Sequence, residues 1–145
     1  MATVNNCNLP EELYYDIEKQ VWGRLEADGT ITVGMTAPGA AQAGQLLHLK
    51  PKKPGTQVAR QKSIGTAESG KWVGAVASPV SGEVIEANEA LGSDAAMVNR
   101  DPYGTGWVVK IRPSDWETEK GSLVTGAAAI EAYKAKMTQD NISCG

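Results

Sequence analysis

Phenylalanine is missing altogether from this chain of 145 residues, histidine occurs once and cysteine twice. Each scarcity excludes a class of chemistry. Cys7 and Cys144 sit near opposite termini, and neither belongs to a CxxC or Cys/His cluster of zinc-binding spacing. No disulfide scaffold is implied, although the two ends of a domain often lie close enough for a bond. His48, between Leu47 and Leu49, has no nucleophile or ligand cluster beside it, so a structural role is expected in preference to a pH switch. With no nucleophile-base pair, metal cluster or phosphate-cradling loop, the chain reads as a non-catalytic protein. No apolar run approaches the ~20 residues needed to span a bilayer. The N-terminus lacks the basic and apolar regions of a signal peptide, and a cytoplasmic location is expected. A net charge of −3 gives no sign of a nucleic-acid partner.

What is present favours short strands and many turns. Sixteen glycines and seven prolines accompany 41% hydrophobic and 21% charged residues, a composition ordinary for a globular domain but poor in long helices. One domain is expected over 1–145, with its core at about 20–117. Asn8 to Glu18 has a capping asparagine, an early proline and Leu9, Leu13 and Ile17 at spacing four, so a short N-terminal helix is expected, though the tandem Tyr14-Tyr15 also suits a strand. Val21 to Glu26 and Thr30 to Met35 flank Ala27-Asp28-Gly29, a hairpin signal. Pro38 to Gly44 reads as a brief helix or turn ended by glycine, and Gln45 to Leu49 as a strand.

Lys50 to Lys62 carries five basic residues and no acidic one, broken by Pro51, Pro54 and Gly55, and reads as a surface loop, either simply solvated or a docking patch for an acidic partner. Gly106 to Arg112 reads as a strand with Trp107, Val109 and Ile111 on one face. Thr125 can cap a C-terminal helix at about 125–138, where Ile130, Tyr133 and Met137 recur at helical spacing. Gln139 to Gly145 are expected to fray.

At the centre lies Thr66-Ala67-Glu68-Ser69-Gly70-Lys71-Trp72-Val73-Gly74. Extended runs at Ser63 to Ala67 and Trp72 to Ala77 meet at Ser69-Gly70, small residues suited to a tight reversal. Lys71 is therefore placed at a hairpin tip, where a lysine is ordinarily a solubilising residue. A second reversal, Pro79-Val80-Ser81-Gly82, leads into the strand Glu83 to Glu86 that buttresses the hairpin.

Glu68-Ser69-x-Lys71, Ser78-Pro79-Val80-Ser81-Gly82-Glu83-Val84, Asn88-Glu89-Ala90-Leu91 and Val98-Asn99-x-Asp101-Pro102-Tyr103-Gly104-x-Gly106-Trp107 follow one another in an order that resembles the H protein of the glycine cleavage system. The resemblance covers about residues 20–135. It implies a mainly β fold with helices, the lipoyl/biotinyl-type antiparallel β-sandwich (barrel-sandwich hybrid), and lipoic acid in amide linkage to Lys71. It also implies a carrier that holds out its cofactor while other enzymes make bonds.

Glu68 then reads as the acidic residue seen by a lipoate-protein ligase or other lipoyl-attaching enzyme, or as a solvent-facing strand residue. Trp72 either packs on the cofactor or, by preference, shields the base of the hairpin. Gly70 and Gly74 leave room around the arm or satisfy the turn. Gly70 and Trp72 stand where biotin carriers have methionines, which argues against biotin.

Departures from the glycine-system pattern include Gln20-Val21-Trp22 in place of His-Glu-Trp, Gly70 and Trp72 beside the lysine, and the basic stretch at Lys50. Cys7-Asn8-Leu9-Pro10-Glu11-Glu12-Leu13-Tyr14-Tyr15 is similar to the opening motif of lipoate-binding proteins that accompany the heterodisulfide-reductase-like complex of sulfur oxidisers. That resemblance implies sulfur transport on the lipoyl thiols, sulfur-transfer proteins and that complex as partners, and Cys7 as either a packing residue or a candidate redox thiol. The alternatives are aminomethyl transport in glycine cleavage, and an unmodified structural or regulatory relative.

Overall fold

Residues 2–145 are described by a computed structural model. In chain order the strands and helices begin with β1 (Ala2–Val4), β2 (Cys7–Leu9), β3 (Tyr14–Asp16), β4 (Val21–Leu25), β5 (Ile31–Met35) and α1 (Ala37–Ala43). They continue with β6 (Leu46–Pro51), β7 (Gln57–Val58), β8 (Ser63–Ser69), β9 (Val73–Ala77), β10 (Gly82–Ala87) and α2 (Met97–Arg100). β11 (Val109–Pro113), α3 (Trp116–Glu119), β12 (Val124–Thr125) and α4 (Gly126–Asp140) complete the order. A seven-stranded sheet runs β12-β3-β4-β5-β11-β10-β7, a three-stranded sheet runs β6-β8-β9, and β1 pairs with β2. Every pairing is antiparallel, so the mainly β sandwich expected from the sequence is the architecture found.

The two larger sheets close on one core: Val33, Val84 and Ile111 of the seven-stranded sheet share it with Leu49, Ile64 and Val76 of the three-stranded one. A second cluster lies under α4, where Ile130, Tyr133 and Met137 meet Cys7, Leu9, Tyr15 and Trp22. The i, i+3, i+7 spacing read in the tail is therefore a core-facing helical stripe.

The short N-terminal helix does not form. Its residues make β2 and β3, because the two tyrosines satisfy opposite faces of a strand: Tyr14 meets Trp116 edge-on at 4.9 Å and Tyr15 meets Tyr133 at 5.6 Å. A period of two serves both rings, which a helix would place about 100° apart. Strand boundaries also move. β6 runs on through Pro51 and Gln57–Val58 adds an edge strand to β10, so the basic stretch is partly strand. The strand expected from Gly106 starts at Val109, since the Asn88 side-chain amide donates to the Thr105 and Trp107 carbonyls and holds them in a loop.

The C-terminal residues are tied down. Asn141 takes a left-handed φ of 55°, Ile142 N–H donates to Met137 O at 2.9 Å, and Ile142 is buried, a Schellman-type stop that satisfies an orphan carbonyl. Thr125 precedes α4 but its hydroxyl donates to Leu13 O at 2.7 Å instead of capping.

Candidate functional site

Lys71 stands exposed in the turn between β8 and β9. The strands pair Glu68 with Val73, and Ser69 N–H donates to Trp72 O at 2.7 Å, closing the turn over Gly70 and Lys71. Ser69 is the anchor. Its buried hydroxyl donates to Ala43 O at 2.6 Å and accepts from Lys71 N–H at 3.2 Å.

The helix that receives this bond is itself well stopped. Thr36 caps α1 by accepting from Gly39 N–H, and Gly44 ends it at φ 88° with its N–H on Ala40 O. The Lys71 side chain lies across that glycine: a methyl group on Gly44 would stand 2.9 Å from Lys71 Cε. Gly44 thus supplies both the left-handed stop and the space for the lysine stem. Asn99 locks the same corner, donating to Ala40 O and Gly44 O and accepting from Leu46 N–H at 2.9 Å. Among the described residues no ion pair involves Lys71, which leaves its amine open to acylation.

Between the hairpin and α1 is a cleft of about 360 Å³ whose lining includes Lys19, Gln20, Met35, Gln42 and Trp72. Trp72 is half-buried against the main core, with its ring over Gly74, where a Cβ would come within 2.5 Å of it. Gly74 therefore makes room for Trp72. Gly70 has no positive φ and open space at its Cβ position, so the turn does not require glycine there. Glu68 is exposed and pairs in register with His48, itself exposed on β6. Among the described residues the cleft is lined by one cation, Lys19, and no carboxylate. Gln20, buried at a left-handed φ of 62°, donates to Gln42 and accepts from the Tyr133 hydroxyl at 2.8 Å.

Cys7 is not a free thiol. It is bonded to Cys144, with Cα atoms 4.9 Å apart, and is fully buried; β2 and the stopped end of α4 bring the two termini together. Gly44 and Asn99 were not singled out as site residues by sequence reasoning. Only the glycine following an apparent helix hinted at the first, and Asn99 stood inside a resemblance motif without a role.

Residues 13–137 match the family described as glycine cleavage H-protein. The chain belongs to that family. It is 46% identical over 149 residues to glycine cleavage system H protein 5 of Aquifex aeolicus, with 100% of both chains covered. It is 42% identical over 146 residues to the probable glycine cleavage system H protein 2 of Sulfurisphaera tokodaii, covering 99% of this chain and 98% of that one. The crystal structure of a glycine cleavage system H protein from Mycobacterium marinum matches with a TM-score of 0.75 at 28% identity, covering 92% of this chain and 99% of that one. H proteins are carriers, not enzymes, and bear lipoate covalently on a lysine. No helix among the described residues is long and apolar enough to cross a membrane.

Proposed function

We propose that Lys71 carries the lipoyl group and that the chain acts as an H protein, receiving an aminomethyl group and passing it on in glycine cleavage. The observation that carries the attachment is an unpaired, exposed lysine at a hairpin tip, with its stem over Gly44 and a cleft beside it. Acylation removes the ammonium charge, so the stem can lie against apolar walls without a buried cation. When bound, the lipoyl group supplies a thiol to take up cargo and a dithiol/disulfide couple.

The chain's own residues hold this arm in place. Ser69 fixes the base of the hairpin to α1, Asn99 holds the end of α1 against the start of β6, Gly44 leaves the stem its path, and Trp72 shelters one side. Glu68, exposed three residues before Lys71, is available to a lipoyl-attaching enzyme. The names of the relatives support the glycine-cleavage cargo and its partner enzymes.

A second reading, sulfur transport with a heterodisulfide-reductase-like complex and sulfur-transfer proteins, is favoured by the charge of the cleft. An aminomethyl thioether carries an ammonium, and the cleft offers it Lys19 and no carboxylate, whereas a neutral or anionic sulfur adduct meets no such repulsion.

Peptide mass spectrometry of the protein from its own host, with thiols blocked, tests all of this. A lipoyl amide on Lys71 establishes the carrier; an aminomethyl adduct assigns glycine cleavage and one or more added sulfur atoms assigns sulfur transport. A bare Lys71 in cells that lipoylate their other carriers would overturn the proposal.

A further inference from the structure

α1 has a cleft on each side. Opposite the Trp72 cleft lies a larger groove of about 920 Å³, floored by Ala37, Ala40, Ala41 and Gly44, with Cys144 in its wall. At one end, the Lys71 stem crosses Gly44. At the other, Cys144 Sγ lies 3.5 Å from the Ala37 carbonyl. Seven residues of helix separate the two ends, about 10 Å at ~1.5 Å rise per residue.

The far end is held in register with α1 by Tyr103, whose hydroxyl donates to Asn8 O at 2.7 Å and accepts from Ala37 N–H at 2.9 Å. The disulfide presents its two sulfurs unequally: Cys144 is half-buried and lines the groove, while Cys7 is fully buried behind it. Both cysteines lie outside residues 13–137, the stretch matched to the family, and the bond joins the segment before it to the segment after it.

We propose that the Cys7–Cys144 disulfide is an internal redox partner of the Lys71 arm. This rests on lipoylation of Lys71. Eight bonds separate Lys71 Cε from the nearer sulfur of a lipoyl amide, about 10 Å of reach at ~1.25 Å per bond, which matches the length of the groove. In the reductive direction, a thiolate of the reduced arm bonds to Cys144 Sγ and the Cys7–Cys144 bond breaks with Cys7 leaving as thiolate. The arm's second thiolate then forms the ring disulfide and releases Cys144 as thiolate. Two electrons pass from arm to cysteine pair, and the two protons lost by the arm thiols are taken up by Cys7 and Cys144. The step is an exchange and runs in either direction, so a two-electron equivalent can be stored in the carrier after the arm has been recycled.

The test uses the full chain lipoylated by a lipoate-protein ligase, beside a Lys71→Arg chain. Dihydrolipoyl dehydrogenase and NADH reduce the arm; alternatively, the fully reduced chain is given the same enzyme and NAD⁺. Alkylation and peptide mass spectrometry then read the state of Cys7 and Cys144.

In at least one direction the cysteine pair of the lipoylated chain should change state at least about tenfold faster than that of Lys71→Arg, at a rate per chain unchanged by about tenfold dilution, as an intramolecular exchange requires. A lipoyl group that cycles while Cys7 and Cys144 keep their starting state in both directions overturns the relay and leaves the attachment standing. A rate proportional to protein concentration overturns it too. Absence of lipoyl mass on Lys71 overturns both proposals.

Discussion

Ser69 Oγ donates to the Ala43 carbonyl at 2.6 Å, tying the lysine hairpin to the last turn of α1 across 26 residues of sequence. The same oxygen accepts from Lys71 N–H, so a single hydroxyl both positions the turn and anchors it. Replacing Ser69 by Ala leaves the Ala43 carbonyl without this donor and the Lys71 amide without an acceptor. Loss of a buried bond of this kind costs about 1–2 kcal/mol. The melting temperature should fall by about 3–6 °C for a chain of this size. Ligase-catalysed lipoylation should slow as the turn loosens. An unchanged melt together with unchanged lipoylation would show that the turn is set by the strands alone.

The Cys7–Cys144 bond closes a loop with a sequence separation of 137. Chain-entropy reasoning gives a bridge over a loop of that length about 5 kcal/mol through restriction of the unfolded chain. The reduced protein, or a Cys7→Ser chain, should therefore unfold at clearly lower denaturant than the oxidised one, with β1, β2 and the end of α4 loosening first. Denaturant titrations with and without reductant check this, and coincident midpoints would remove the bond from the stability account. Lys71 is remote from β1 and β2 in sequence and held by Ser69, so lipoylation should survive the loss of the bridge.

Much of this was legible in the residues, and the exceptions share a cause. The hairpins at Asp28-Gly29 and Ser69-Gly70 and the stripe Ile130, Tyr133 and Met137 are local signals, and each appears as expected. Tyr14-Tyr15 resolved as a strand instead of a helix because their partners, Trp116 and Tyr133, lie about a hundred residues on, where local periodicity carries no information. The disulfide escaped for the same reason. Its two halves are ordinary single cysteines until β2 and α4 are packed together. Gly44 is the clearest case at the site: its role as a helix stop is written in the sequence, but its role as a path for the Lys71 stem depends on a hairpin that folds back from residue 69.

Three of the four tyrosines donate to carbonyl oxygens, Tyr15 to Pro10 O at 2.6 Å and Tyr133 to Gln20 Oε1 from fully buried positions and Tyr103 to Asn8 O from a half-buried one. Burial raises the pKa of all three phenols well above the ordinary value near 10; a phenolate at these sites would lose water and face a carbonyl oxygen. Above pH 10 the unfolded chain releases these protons while the native one retains them. The slope of unfolding free energy with pH is then negative. Their contribution is complete below about pH 10 and is lost as pH rises towards the folded-state values. Phenolate absorbance from these three residues should appear together with the loss of near-ultraviolet circular dichroism in an alkaline titration. Three phenols that ionise reversibly while the native dichroism persists would mean that these hydroxyls are not held as described. A Tyr103→Phe chain, which loses the bonds linking Asn8 to Ala37, should unfold at lower denaturant at neutral pH, while its alkaline transition releases one proton fewer and is correspondingly less steep in pH.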